Sequence, residues 1–412
     1  MRLILRSTLY ILAVILVIQC EKDDPASNHL NVEITDDNFL SALIERGVDT
    51  NGDSIISLSE AGIVNDLDVS SCGISDMTGI EKFVNLMTLL CYDNQLTSLN
   101  VSNSSALKVL DCRNNQLISL DVSNNNALYA LHCTYNQLTA LDVSNDTALH
   151  QLYCENNPLT ALDVSDNILL ESLCCNQNQL TTLDISNNNA LKYLGCAHNQ
   201  LTTLDVSNNN ALDDLDCPDN QLTSLDVTNN NALTGLSCNN NQLTTLDVSN
   251  NAALEFFSCK YNQLSILDVS HNNVLTCLAC YNNQLSALDV SNQPDLETLW
   301  CHRNQLTSLD VSKNNALAYL GCSDNQLTTL DVSNQSDLRI MWCGGNQLTS
   351  LDVSNNSFLG LNVGYTFSCF LEIGDMPSLE KVCVWTMPFP PEGFLLCADG
   401  SPNAYFTTDC SK

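Results

Sequence analysis

Basic residues are scarce in this sequence. Lysine and arginine together number 14 against 47 acidic residues, so the 412-residue chain has a formal net charge of −33 at pH 7. The resulting field repels nucleic acid and anionic lipid, and no nucleic-acid partner is expected. Aromatic residues are also few, at 6%, while leucine and asparagine dominate. This composition is typical of a repeat protein and not of an ordinary globular domain.

Catalytic groupings are missing as well. Nucleophilic and general acid–base catalysis require a nucleophile and a base, or two acid–base groups, in contact. The histidines show no such pairing, and the sequence therefore predicts a protein without enzymatic activity. The six histidines are scattered along the chain as His29, His132, His150, His198, His271 and His302.

The N-terminal apolar run is too short to cross a bilayer. It covers residues 9–18, follows two arginines and ends just before Cys20, which is the arrangement of a secretory signal peptide. The segment VIQC resembles the lipobox of bacterial lipoproteins, in which the cysteine is acylated, although Gln19 stands where a small residue is usual. The acidic stretch EKDDPASNH resembles the tether of Bacteroidetes outer-membrane lipoproteins.

This resemblance implies a signal peptide over residues 1–19, lipidation at Cys20 and a flexible tether over residues 20–33. The chain would then be anchored to the outer membrane through the lipid alone and face the extracellular side. The alternative is a secreted soluble protein in which Cys20 has no role.

A 21-residue repeat occupies the chain from Leu67 to Leu351, with the unit L-x-x-L-x-C-x-x-N-Q-L-T-x-L-D-V-S-x-N-x-x. The unit resembles the leucine-rich repeat, and in particular the internalin-like repeats of bacterial surface proteins. That resemblance implies an α/β-type solenoid of mostly strand and loop, with right-handed coils, weak curvature and one parallel sheet on the concave face. We expect about 14 coils over residues 67–358, a helical N-terminal cap over 34–66 and an irregular C-terminal cap over 359–412.

Thirteen cysteines recur at the same position of the repeat. Three interpretations are open, namely core, disulfides or metal ligands. A buried free cysteine behaves as a small hydrophobe, whereas in-register side chains point in parallel and disfavour a disulfide. We interpret this column as core. Its members are Cys91, Cys112, Cys133, Cys154, Cys175, Cys196, Cys217, Cys238, Cys259, Cys280, Cys301, Cys322 and Cys343.

The variable positions between the first leucine and the asparagine face outward from the strand. Eleven of the twelve aromatic residues in the coils from Leu86 to Leu351 lie there, as do six of the seven basic residues between Leu107 and Leu351. Tyrosine, tryptophan and arginine dominate binding interfaces, so we predict a ligand-binding face; the alternative is the general preference of aromatics for strands. The predicted binding residues are Tyr92, Tyr153, Tyr193, Phe256, Lys260, Tyr281, Trp300, Arg303, Tyr319 and Trp342.

The segment DTNGDSIISLSE in the N-terminal cap resembles an EF-hand calcium loop. The resemblance implies a structural calcium ion held by Asp49, Asn51, Asp53, the Ile55 carbonyl and Glu60, with Ser54 in place of the usual glycine. A merely acidic turn is the alternative, and no other cofactor is expected.

Four cysteines after residue 358 lie outside the repeat phase, and in an extracellular protein they are candidates for disulfides. The preferred pair is Cys383 with Cys410; reduced cysteines are the alternative.

These features together predict a surface-anchored adhesin whose aromatic strand face docks a protein of the host or of a bacterial surface. Stacked tyrosines and tryptophans would equally serve a glycan-binding lipoprotein beside a polysaccharide importer. A passive structural spacer is the third hypothesis.

Overall fold

The computed structural model describes residues 31–361 and 368–410, so the predicted signal peptide and Cys20 lie outside the described residues. Two helices, α1 (Asp37–Glu45) and α2 (Leu58–Ala61), and a 3-10 turn (Ile80–Lys82) occur in the described chain. The strands are β1 (Asp66–Asp68), β2 (Thr88–Leu90), β3 (Val109–Asp111), β4 (Ala130–His132), β5 (Gln151–Tyr153), β6 (Ser172–Cys174), β7 (Tyr193–Gly195), β8 (Asp214–Asp216), β9 (Gly235–Ser237), β10 (Phe256–Ser258), β11 (Cys277–Ala279), β12 (Thr298–Trp300), β13 (Tyr319–Gly321), β14 (Ile340–Trp342), β15 (Ser350–Asp352), β16 (Leu371–Glu372), β17 (Lys381–Cys383), β18 (Leu396–Cys397) and β19 (Tyr405–Thr407).

The strands form a parallel β-solenoid of about 16 coils with very little helix, which confirms the predicted fold class. The main sheet has 16 strands in the order β1 to β14, then β16 and β18. Neighbouring strands pair in register, so that each residue lies beside its equivalent in the next repeat; Leu110, for example, pairs with Leu131. On the opposite arm β15, β17 and β19 form a second, three-stranded parallel sheet, which the sequence did not predict. Residues 359–412 thus contribute strands to both sheets.

The interior is built from columns of identical residues. Because side chains alternate along a strand, the central leucine of each strand points inward, and Leu110 and Leu299 are both fully buried. All thirteen repeat cysteines have 0% exposure and are free thiols. Burial raises the pKa of the Cys238 thiol to about 12, so the column is uncharged at neutral pH. These observations confirm the interpretation of the cysteines as core.

The asparagine that follows each cysteine holds neighbouring coils together. Asn115 Nδ2 donates to the carbonyls of Cys91 and Cys112, each at 3.0 Å. Its Oδ1 accepts from the backbone N–H of Leu96 at 3.0 Å. The side-chain amide therefore hydrogen-bonds to its own coil and to the preceding one. It pairs backbone N–H and C=O groups that the short three-residue strands leave without a partner.

A second ladder of buried amides runs along the opposite arm, at the N of the V-S-x-N element. Asn125 Nδ2 donates to the carbonyls of Val101 and Ser104, each at 2.9 Å, and the side chain is 0% exposed. Two coils lack an amide at this position, and in the first of them Ser104 donates its hydroxyl to the carbonyl of Phe83 at 3.2 Å. Asp146 occupies this position with 0% exposure, and neither of its carboxyl oxygens has a hydrogen-bond partner. Burial raises the pKa of Asp146 to about 7, with a smaller contribution from Asp142.

Both ends of the solenoid are covered. Asp36 caps the N-terminus of helix α1, and its side chain accepts from the N–H groups of Asn38 and Phe39. The helix buries Phe39 and Leu43 against the first coils. At the other end the structure contains a disulfide between Cys383 and Cys410, the pair that the sequence singles out, with Cα atoms 5.6 Å apart. A second disulfide joins Cys369 to Cys397. Among the described residues no helix is both long and apolar enough to cross a bilayer.

Candidate ligand-binding face

The outward side chains of the main sheet, with the turn that follows each strand, form a continuous surface that we call the strand face. In β12 the central Leu299 is buried, whereas Thr298 and Trp300 on either side are half-buried and point away from the core. The parallel register places equivalent residues of successive coils side by side. Trp300 thus lies beside Gly321, and Gly321 lies beside Trp342.

Two tryptophans meet across a glycine on this face. The ring centroids of Trp300 and Trp342 are 5.1 Å apart with an interplanar angle of 39°, although the residues are two coils apart. Gly321 permits the contact, because a Cβ atom there would lie 2.3 Å from Trp300 Cε3. The indole of Trp300 therefore leans over the glycine. Trp342 is held in turn by its Nε1, which donates to the carbonyl of Cys369 at 3.1 Å.

The aromatic surface continues beside the tryptophans. The rings of Tyr281 and His302 stack at 4.1 Å, and Lys260 Nζ lies 5.4 Å from the centre of the Tyr281 ring. Burial and then the charge of Arg303 lower the pKa of His302 to about 4. The imidazole is therefore neutral at physiological pH and acts as part of the aromatic surface.

A cavity of about 370 Å³ adjoins Trp342. Arg303 and Asp324 line it, with Nε and Oδ2 3.3 Å apart. Glu372 forms another wall, and its carboxylate accepts from Ser323 Oγ at 2.6 Å and from Gly344 N at 2.9 Å. The cavity combines an aromatic wall with fixed charges, which is the composition of a binding pocket.

A second cluster lies near the other end of the strand face. The Arg113 guanidinium lies over the Tyr92 ring at 4.7 Å, and Tyr153 contacts His132 edge to face at 4.7 Å. Asp111 is 5% exposed and lies 3.5 Å from Arg113 Nε and 3.8 Å from His132 Nδ1. Arg113, His132 and Tyr153 border a cavity of about 570 Å³.

Seven of the ten predicted binding residues therefore fall into two groups, and three lie outside them. Lys260, Tyr281, Trp300, Arg303 and Trp342 come together in the C-terminal coils, and Tyr92 and Tyr153 belong to the N-terminal cluster. Tyr193, Phe256 and Tyr319 lie on the strand face outside both groups.

Four contributors were not predicted. From the sequence, His132 and His302 are considered only for catalysis, although their positions in the outward columns mark them as part of the face. Gly321 carries a signal in the sequence, since it interrupts an outward column between two tryptophans. Glu372 lies beyond the repeat, where no column predicts its position.

The EF-hand-like loop adopts a tight turn. Ser54 has a left-handed backbone with φ of 64°, the conformation that glycine provides in calcium loops. Asp49 accepts from the N–H groups of Gly52 and Ser54 at 2.7 and 2.8 Å. Glu60 is 5% exposed and caps α2 through Ser57, and these hydrogen bonds, with those from Thr50, lower its pKa to about 2.

The oxygen donors of the EF-hand-like loop suit calcium. Its carboxylates, however, do not form a group of three within 4.8 Å of one another. Among the described residues, the one group of three His, Cys, Asp or Glu side chains with ligand atoms within 4.8 Å of one another is Asp352 with Cys383 and Cys410. Its two cysteines form the disulfide described above and do not offer thiolates.

The stacked three-residue strands, the leucine and cysteine columns and the asparagine ladders define a leucine-rich-repeat solenoid. The functional domain of InlJ from Listeria monocytogenes, which includes a cysteine ladder, is 34% identical to this chain with a TM-score of 0.76, and the match covers 84% of this chain and 78% of that domain. The chain belongs to the internalin-like leucine-rich-repeat family.

More distant structures share the fold. A leucine-rich-repeat protein from Leptospira interrogans is 23% identical with a TM-score of 0.69, covering 85% of this chain and 97% of that one. An internalin from Listeria monocytogenes, InlF, is 21% identical with a TM-score of 0.59, covering 74% and 94%. The family model of the LVIVD repeat matches residues 304–342. No curated protein matches the chain.

Proposed function

We propose that this chain is a non-enzymatic surface protein that binds a protein ligand on the strand face. The contact between Trp300 and Trp342 carries the proposal. Both indoles are half-buried side chains of an outward column, and neither belongs to the hydrophobic core. Large aromatic side chains that lack a core role and lie on a rigid sheet supply contact area at little entropic cost. Membership in the internalin-like family supports the same function.

The proposed location is the cell surface. We propose that Cys20 is acylated and that the lipid anchors the chain to the outer membrane, facing outward. The VIQC segment and the acidic tether support this arrangement, and the net charge of −33 makes direct adsorption to anionic lipid unfavourable.

The test combines binding and stability. We expect the double variant Trp300→Ala with Trp342→Ala to lose binding to an array of extracellular proteins, while its unfolding midpoint changes by no more than about 2 °C. Two substitutions on the opposite arm, Thr203→Ala with Thr245→Ala, serve as the matched control and should bind as the parent does.

Three outcomes would argue against this function. Unchanged protein binding by the double variant would reject the strand face as the site. Binding to a glycan array alone would favour a glycan-binding lipoprotein accessory to polysaccharide uptake. Failure to bind either array would favour a structural spacer.

We further propose a structural calcium ion in the N-terminal cap, with ligands from Asp49, Asn51, Asp53, the Ile55 carbonyl and Glu60. The left-handed turn at Ser54 and the acidic donor set support this proposal. The ion would fix the loop between α1 and α2 and so stabilise the cover of the first coil.

A further inference from the structure

One backbone position is left-handed in every repeat. The second residue after each cysteine has φ between 52° and 63°, and we call these residues the left-handed row. The stacking of coils imposes this conformation, since the N–H of Asn114 donates to the Thr134 carbonyl of the next coil at 2.9 Å and other members bond alike. The row consists of Asp93, Asn114, Tyr135, Asn156, Gln177, His198, Asp219, Asn240, Tyr261, Asn282, Arg303, Asp324 and Gly345.

Most members of the row are residues that tolerate this conformation. Glycine has no Cβ atom, and asparagine and aspartate enter the left-handed region more readily than other side chains. Five members are of other types, namely Tyr135, Gln177, His198, Tyr261 and Arg303. Tyr135, Tyr261 and Arg303 are the largest of these exceptions, and a bulky side chain at positive φ is strained. Asparagine at the same place in neighbouring coils shows that the repeat itself does not require them.

Contacts within the chain do not account for the three exceptions. Tyr135 is 55% exposed, and its side chain makes no hydrogen bond, ion pair or ring contact within residues 31–361 and 368–410. Tyr261 is 44% exposed, and its ring meets that of Tyr281 edge to face with the centroids 5.3 Å apart. Arg303 pairs with Asp324 at 3.3 Å, but both side chains are more than half exposed, so the pair adds little stability.

The two cavities of the strand face open on this row. Asp93, Asn114 and Tyr135 line the 570 Å³ cavity, and Arg303, Asp324 and Gly345 line the 370 Å³ cavity. Carboxylates outnumber arginines in each: Asp93 and Glu155 accompany Arg113 and His132 in the first, and Asp324, Glu372 and Asp375 accompany Arg303 and His302 in the second. An aromatic wall beside an excess of carboxylates is complementary to a cationic side chain.

We infer that Tyr135, Tyr261 and Arg303 are ligand contacts, and that the two cavities receive lysine or arginine side chains of one protein partner with a basic surface. Strained side chains that the fold neither needs nor compensates mark positions where binding outweighs stability. The inference rests on the proposed protein-binding function. It places the residues that contact the ligand in the turn that follows each strand.

The stability measurement tests the strain. The triple variant Tyr135→Asn, Tyr261→Asn and Arg303→Asn should raise the thermal unfolding midpoint of the full chain by roughly 3 °C. The reverse change, Asn240→Tyr, places a bulky side chain in the same row and should lower the midpoint. A triple variant that melts at or below the parent would overturn the inference, whatever its binding.

The binding measurement uses a phage library of random dodecapeptides panned on the immobilised full chain. We expect enriched peptides that contain lysine or arginine, and a loss of at least tenfold in their affinity for the triple variant. The control Ile266→Asn, at a side chain that is 76% exposed on the opposite arm, should bind as the parent does. Equal affinity for the triple variant, or peptides without basic residues, would overturn the inference. A stability gain with no enriched peptides at all would instead count against the proposed protein-binding function.

Discussion

Replacing Asp146 by asparagine should stabilise the solenoid at neutral and alkaline pH. Asp146 is the one carboxyl side chain in the buried amide ladder of the opposite arm, and both of its oxygens lack a partner. An amide at this position would donate to the carbonyls of Val122 and Asn125, as Asn125 does to those of Val101 and Ser104. The substitution removes a buried charge and adds two donors to the ladder.

The magnitude follows from the pKa of the acid. Burial raises it from 3.8 to about 7, a shift of roughly three units, which corresponds to about 4 kcal/mol once the group is fully ionised. Relaxation and water entry reduce this value, so we expect about 2–4 kcal/mol at pH 8, or roughly 3–5 °C in the unfolding midpoint of a chain this long.

The pH dependence has a defined sign. A carboxyl whose folded-state pKa is raised stabilises the folded chain most below pH 3.8, and this contribution is lost as the pH rises to about 7. We therefore expect the gain of Asp146→Asn to be large at pH 8 and small at pH 4.

Thermal unfolding of parent and variant from pH 4 to pH 8 provides the measurement. Asn167→Asp introduces the same charge one coil away and should destabilise at pH 8 by a similar amount. Equal midpoints of Asp146→Asn and parent at pH 8, or a neutral Asn167→Asp, would refute the argument from burial.

Two further predictions concern the strand face and the N-terminal cap. Gly321→Val should displace the Trp300 indole, because a Cβ atom at position 321 would lie 2.3 Å from it. We expect a weaker near-ultraviolet circular dichroism signal from the tryptophan pair and at least tenfold weaker ligand binding. An unchanged signal would contradict the described contact. Adding calcium to chelator-treated protein should raise the midpoint by a few degrees, and this rise should vanish in Asp49→Ala; an equal rise in the variant would reject the proposed ligands.

The repeat made the architecture predictable because each coil supplies the same side chains to the same layer. A 21-residue period with leucine and cysteine in fixed columns defines which residues are buried, and Cys238, with 0% exposure, follows that pattern. The outward columns are also readable from the sequence, and they place Trp300 and Trp342 on the predicted binding face. The C-terminal strands were not predicted, since the repeat becomes irregular after Leu351 and spacing no longer indicates pairing.

The sequence by itself determined the solenoid, its core and the columns that face outward, because a periodic chain satisfies the same hydrogen bonds in every coil. Only the tertiary structure decided which outward side chains meet. The contact of two tryptophans across Gly321 depends on a missing Cβ atom in the coil between them. The strain at Tyr135, Tyr261 and Arg303 depends on a backbone conformation that stacking imposes, and the raised pKa of Asp146 depends on the burial of its carboxyl group between the stacked coils.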